Sequence, residues 1–186
     1  LLRRAWSAHK DKDHLAAITY LRRMNQQSGK ATAGLWFFAR LYGDSKHQEL
    51  LKQDVMFYAV KAKQSDTSLD FLAASLREIG EFKLARQISN YGINNDCNPL
   101  KETQDRTNCT SWFDALIGSN LINGEKRMRR VLDKHPHRFD FIDTHAVILN
   151  ALSRHNAARE QALKAAKLAS ADSYMLWQYD LLKAKK

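Results

Sequence analysis

An alanine returns at a spacing of 34 residues in the first half of the chain, at Ala5, Ala39 and Ala73. Around each, apolar side chains recur after three, four and seven positions: Leu1…Arg4-Ala5…Ala8, Leu35…Phe38-Ala39…Tyr42 and Leu69…Leu72-Ala73…Leu76. That period is one face of an α-helix, and its return at a fixed interval constrains the fold more than any local propensity does. A fourth copy, Ile142…His145-Ala146…Leu149, is followed 34 residues later by Leu176…Tyr179. A small side chain held in a constant slot lets a neighbouring helix come close, so the alanines make a statement about packing.

A second helix follows each first one. Ala17, Leu51, Ala85 and Ala158 stand twelve residues after the four alanines, inside new amphipathic stretches. Short polar turns separate the pairs: Lys10-Asp11-Lys12-Asp13, Gly43-Asp44-Ser45-Lys46, Gly80-Glu81 and Ser153-Arg154-His155-Asn156. Asp and Ser cap the free N–H groups of a starting helix, and glycine releases the preceding one. The repeating element is therefore a helix hairpin.

The run Leu69 to Ile88 resembles a tetratricopeptide repeat. It has that family's large–large–small–large first helix (Leu69, Leu72, Ala73, Leu76), its Gly80-Glu81-Phe82 turn and a small residue, Ala85, early in the second helix. Leu35–Ala59 is similar more loosely, with Leu51 in the small position and His47-Gln48 at the turn aromatic. Ile142–Leu168 matches at the small positions, with His145 in a normally aliphatic slot. The resemblance implies an all-α, right-handed superhelix of about five helix pairs plus a capping helix. Expected hairpins are 1–31, 32–66, 67–93, 111–137 and 139–171, with a cap at 173–184, all in one domain spanning 1–186.

The middle breaks the period. The fourth hairpin is expected to pair Trp112–Asn120 with Glu125–His135 across Asn123-Gly124, with Met128 in the packing slot and Pro136 closing the second helix. The surplus residues, 94–110, are polar, lack a helical period and read as an inserted loop. Cys97 and Cys109 flank it. Two cysteines cannot make a four-cysteine zinc site, which leaves a disulfide or two reduced surface thiols. A disulfide points to the periplasm or the exterior, reduced thiols to the cytoplasm. Asn108-Cys109-Thr110 also fits a glycosylation acceptor, a weak pattern.

Chemistry is sparse. The chain carries no glycine-rich phosphate loop, no His-Glu-x-x-His and no nucleophile elbow, so no enzyme activity, cofactor or metal is expected. His135-Pro136-His137 is the tightest histidine pair, yet it has no third ligand nearby in sequence. His145 lies on a packing face and reads as a core histidine. Asp140 and Asp143 occupy adjacent helical turns, as solvent-facing helix-start aspartates commonly do. No apolar run is long enough to span a bilayer. The first residues, Leu1-Leu2-Arg3-Arg4, lack an initiator Met and read as the start of a piece of something longer.

Two surfaces remain. The formal net charge of +10 is shared by both halves, with one dense patch: Lys126, Arg127, Arg129, Arg130, Lys134 and Arg138. This reads either as a site for an anionic polymer, polysaccharide or nucleic acid, or as a solvated helix face. The resemblance also implies a concave groove lined by first helices. The same helical phase puts Trp6, His9 and Lys10, then Trp36 and Arg40, then Asp70, Ala74 and Arg77 on it, followed by Asp143, Val147 and Asn150, and last Trp177 and Leu181. Trp and Arg dominate binding energy at interfaces; alternatively, the tryptophans wedge between hairpins. The expected function is a non-enzymatic scaffold that binds a peptide, helix or loop of another protein, in a setting such as envelope assembly or secretion. A tether for a catalytic region elsewhere is a further alternative.

Overall fold

A computed structural model describes residues 1–27, 33–43, 46–61 and 68–184. Regular structure among the described residues is all helical. The helices are α1 (Leu2–Lys10), α2 (His14–Gln27), α3 (Ala33–Tyr42), α4 (Gln48–Lys61), α5 (Leu69–Glu78) and α6 (Phe82–Gly92). A π-helical turn, Ile93–Cys97, leads to α7 (Thr103–Ile117), α8 (Leu121–Lys134), α9 (Phe139–Ala151), α10 (His155–Leu168) and α11 (Ser173–Ala184). The expected turn residues Asp44 and Ser45, and the expected hairpin boundaries at 31, 32, 66 and 67, lie outside the described residues.

The chain divides into two compact units, Leu1–Gly92 and Ile93–Lys186. The division falls where the sequence period breaks. In the first unit α1 packs on α2, α2 on α3, α3 on α5 and α5 on α6; in the second α7 and α8 pack on α9, α9 on α10 and α10 on α11.

The recurring small residues are core. Ala5, Ala39, Ala73 and Ala146 are buried, as are Ala17, Leu51, Ala85 and Ala158. Three turns also share one geometry. Seven residues after Ala5, Ala73 and Ala146 stand Lys12, Gly80 and Ser153, with φ of 61°, 86° and 61°. Their N–H groups donate to the carbonyls of His9, Arg77 and Asn150, and the next residues donate to Ala8, Leu76 and Leu149. Only glycine enters this left-handed region freely. Lys12 and Ser153 are held there by the helices they join. In the first turn Asp13 Oδ1 accepts the Ala16 N–H at 3.0 Å and so caps α2.

The fourth hairpin corrects two expectations. Its turn lies at Gly118 (φ 73°) to Asn120 (φ 48°), not at Asn123-Gly124. Gly118 and Ser119 donate to Ala115 and Asp114 carbonyls as in the other turns, and buried Ser111 takes the alanine slot seven residues earlier. Asn-Gly is a turn signal by propensity, but here it sits in the first turns of α8, where Gly124 is buried and a Cβ added to it would touch Ile148. Met128 is also buried, one helical turn further on.

The second correction is to the inserted loop. Most of 94–110 is helical: the π-turn ends at Cys97, and α7 starts at Thr103 rather than at Trp112. These added turns of α7 are polar and only half-buried, so they show no apolar stripe. They are anchored instead by bonds invisible to a hydrophobic pattern. The Cys97 and Cys109 sulfurs lie at disulfide distance, 2.04 Å, and Asp105 pairs with Arg138 at 2.9 Å.

The closing helix packs on α10. Leu182 of α11 joins a cluster of Ala146, Leu149, Ala158 and Ala162, and Met175 joins Ile142, Ala165 and Ala166. Four small side chains of α10 (Ala158, Ala162, Ala165, Ala166) thus hold both its neighbours close.

Candidate functional site

In the first unit the expected surface residues build a strip along α1, α3 and α5. The Trp6 indole stacks on the His9 ring (centroids 5.3 Å apart, planes at 16°), and Lys10 Nζ lies 5.2 Å from the Trp6 ring centre. His9 Nδ1 meets the Tyr42 hydroxyl of α3 at 3.0 Å. Tyr42 is buried and also meets His14 and His47 edge-on. Burial, and then the neighbouring His14, keep His9 below the usual imidazole range; burial and Asp13 raise the Tyr42 phenol.

Further along, Trp36 packs against Phe37 and against Phe71 of α5, at 5.2 and 5.3 Å between centroids. The Arg40 guanidinium covers the Trp36 ring at 4.7 Å. Trp6, His9, Arg40, Asp70 and Arg77 are half-buried and Lys10 is exposed.

Not every expected groove residue is accessible. Trp36, Ala74, Asp143, Val147, Trp177 and Leu181 are buried, which corrects their placement on an open face. For Trp36, Ala74, Asp143 and Val147 the reason is the number of neighbours: α3 packs against α2, α4 and α5, α5 against α3, α4 and α6, and α9 against α7, α8 and α10. Such helices are apolar around most of their circumference, so the side opposite one packing stripe is occupied by another. Asn150 stays half-buried, its Oδ1 3.2 Å from His155 Nδ1 across the α9–α10 turn.

The basic patch separates into two halves. Arg127 donates to Asp114 at 3.2 Å, and buried Asp114 also accepts from Ser119 Oγ at 2.7 Å and Asn120 Nδ2 at 3.2 Å. Arg129 pairs with buried Glu125. Arg138 pairs with Asp140 at 2.7 Å and Asp105 at 2.9 Å and lies 4.0 Å over the Phe141 ring; these bonds push its guanidinium pKa up. Asp140 is thereby engaged, and Asp143 is buried. Lys126, Arg130 and Lys134 form the other half: four residues apart, exposed, on one stripe of α8. None has a carboxylate partner among the described residues.

Sequence reasoning missed the network around Glu125. Its Oε1 lies 3.7 Å from His145 Nε2 of α9 and 3.7 Å from Arg154 Nη1. Burial alone would raise the Glu125 carboxyl, but the Arg129 hydrogen bond and the charges of Arg129, His145 and Arg154 hold it below its usual value. Burial lowers His145, opposed by Glu125 and aided by Arg129 and Arg154. The four-residue spacing of Glu125 and Arg129 was a legible signal; the approach of His145 and Arg154 needed the fold. Among the described residues no group of three His, Cys, Asp or Glu is placed to hold a metal, and no helix is long and apolar enough to cross a membrane.

No family model matches the chain, and neither a curated protein nor a solved structure is found similar to it.

Proposed function

We propose that this chain is a non-enzymatic interaction module of the tetratricopeptide-like kind, its hairpins stacked as a right-handed superhelix. The shared turn geometry at Lys12, Gly80 and Ser153 and the buried small slots support that architecture. Its ligand is a peptide, helix or loop of another protein. The observation that carries this reading is the strip of α1, α3 and α5, where Lys10 and Arg40 lie over tryptophan rings. Such a surface offers apolar area and positive charge together, the residue types that concentrate binding energy. An acidic segment with an aromatic or aliphatic anchor fits it best. The Cys97–Cys109 pair favours an oxidising compartment, the periplasm or the exterior, over the cytoplasm, and with it a role in envelope assembly or secretion.

Affinity capture from the native extract tests the reading. Lys10→Ala with Arg40→Ala is expected to lose the partner that the unaltered chain retains, with helicity unchanged by circular dichroism. Equal capture by both rejects it. Trp36→Ala is unsuitable for this purpose, since Trp36 is core.

A second reading, binding of an anionic polymer, is favoured by the unpaired Lys126–Arg130–Lys134 stripe. It requires affinity that collapses between low and moderate salt with little sequence preference.

A further inference from the structure

Between the first turns of α7 and the end of α8 lies a cleft of about 410 Å³. From α8, Arg130 and Lys134 enter it one turn apart, with Val131 between them. His135, just past the helix end, closes one side, its ring edge-on to Phe141 at 5.9 Å. From α7 come Thr103, Gln104 and Thr107. The Thr107 hydroxyl donates to the Thr103 carbonyl and Gln104 Nε2 to Glu102, whereas the Thr103 hydroxyl has no partner among the described residues. Asp133 is the one carboxylate among the described residues of the lining.

The cations here differ from their neighbours on the same helix. Arg127 and Arg129 are matched to Asp114 and Glu125; Arg130 and Lys134 line the cleft and have no carboxylate partner among the described residues. The facing wall is also fixed in place, because α7 is tied by Cys109 to Cys97 and by Asp105 to Arg138. Two unneutralised cations, an imidazole and a free hydroxyl on rigid walls make a receptor for a compact anion. The cleft is larger than a bare phosphate needs and lies within the roughly 300–1,000 Å³ range of small-molecule sites. The remaining space is bordered by Asp133 and the Gln104 amide, which pair with hydroxyl groups, and by Val131. We propose that this cleft binds a small phosphomonoester with a hydroxylated body, of sugar-phosphate size, with its phosphate between Arg130, Lys134 and Thr103.

The test is NMR titration of the whole chain with glucose 6-phosphate, inorganic phosphate and glucose. Saturable shifts confined to 103–107 and 130–135 are expected from glucose 6-phosphate, with a Kd on the order of 1 mM or tighter. Inorganic phosphate should bind the same residues more weakly, and glucose should not bind. Arg130→Ala and Lys134→Ala should each weaken the complex about tenfold, the loss of one charge-assisted contact. Lys126→Ala, on the same stripe outside the cleft, should change it less than about twofold. Absence of saturable binding at about 10 mM ligand overturns the proposal. So does an equal loss from Lys126→Ala, which would mean diffuse attraction. Glucose binding as tightly as its phosphate removes the anion site, and inorganic phosphate binding as tightly as the monoester removes the organic body.

Discussion

In Leu1–Gly92 the strip of α1, α3 and α5 is held by rings, half-buried Trp6 on His9 above and buried Tyr42 and Trp36 beneath, the one meeting His9 and the other Phe71. In Ile93–Lys186 charge links α7, α8 and α9 and their flanking turns: Asp114 with Arg127, Glu125 with Arg129, His145 and Arg154, Arg138 with Asp105 and Asp140. Both units use the same hairpin turn, so the difference lies in what the turn presents. Ring contacts set Lys10 and Arg40 over tryptophan rings. Ion pairs engage Arg127, Arg129 and Arg138 and leave the Lys126–Arg130–Lys134 stripe with no carboxylate partner among the described residues. One backbone plan thereby yields an aromatic, cation-topped strip in one unit and a narrow basic cleft in the other.

The comparison can be broken first through stability. A Cβ at Gly34 would collide with the Leu21 carbonyl of α2 and approach the Asn25 side chain, which accepts the Leu35 N–H at 3.2 Å. Gly34→Ala should destabilise the first unit by about 3 kcal/mol, read as faster hydrogen exchange in α2 and α3 with α9 and α10 unchanged. Loss spread evenly over both units would show that they do not act separately. Cys97→Ser with Cys109→Ser should remove slightly less, up to about 3 kcal/mol in chain-entropy terms for a loop of this size. Here the exchange should rise in α7 and leave α1–α5 alone, and mass spectrometry should register two added hydrogens when the unaltered chain is reduced.

Acid provides a smaller effect with a definite sign. His145 has a folded pKa below its unfolded value near 6.5, so the unfolded chain binds the extra proton first. Its contribution is complete above pH 6.5 and is lost as the pH falls towards the folded value. Glu125, also lowered, loses its contribution only at more acid pH, below its unfolded value of 4.5. His145→Gln should flatten the first slope in the second unit. His9, shifted the same way, should keep its own slope in the first. A variant slope equal to that of the unaltered chain would deny His145 this role. The smallest stability effect belongs to Arg40→Ala: about 0.5–1 kcal/mol, the worth of a half-exposed cation over an aromatic ring, measured by urea unfolding. A loss several times larger would make Arg40 a structural residue rather than a surface one.

The hairpins were legible because burial writes a period. Ala5, Ala39, Ala73 and Ala146 announce themselves by spacing, and their partners Ala17, Ala85 and Ala158 follow at a constant offset. The fourth hairpin was not legible in the same way. Its small positions are Ser111 and Gly124, which look polar or turn-like, and its first helix begins with turns that a disulfide and an ion pair hold in place of an apolar stripe. Site residues fared according to how crowded their helix is. Trp6 and Lys10 stand on α1, where one packing stripe predicts the open side. Trp36 and Asp143 belong to helices enclosed by three others, where it does not, and of the expected site residues on α3 only Arg40, near the helix end, stays half-exposed. The division of the basic patch depended on carboxylates far away in sequence, Asp105 and Asp114 above all, and charge counting alone cannot find them.

The most direct test of the binding strip is a site-specific photo-crosslinker in place of Lys10, with the same group in place of Lys126 as its comparison. Illumination in the native extract should give one defined protein adduct from position 10, absent from position 126 and suppressed by Arg40→Ala. No adduct from position 10, or the same adducts from both positions, would contradict the assignment of the α1–α3–α5 strip as the partner-binding surface.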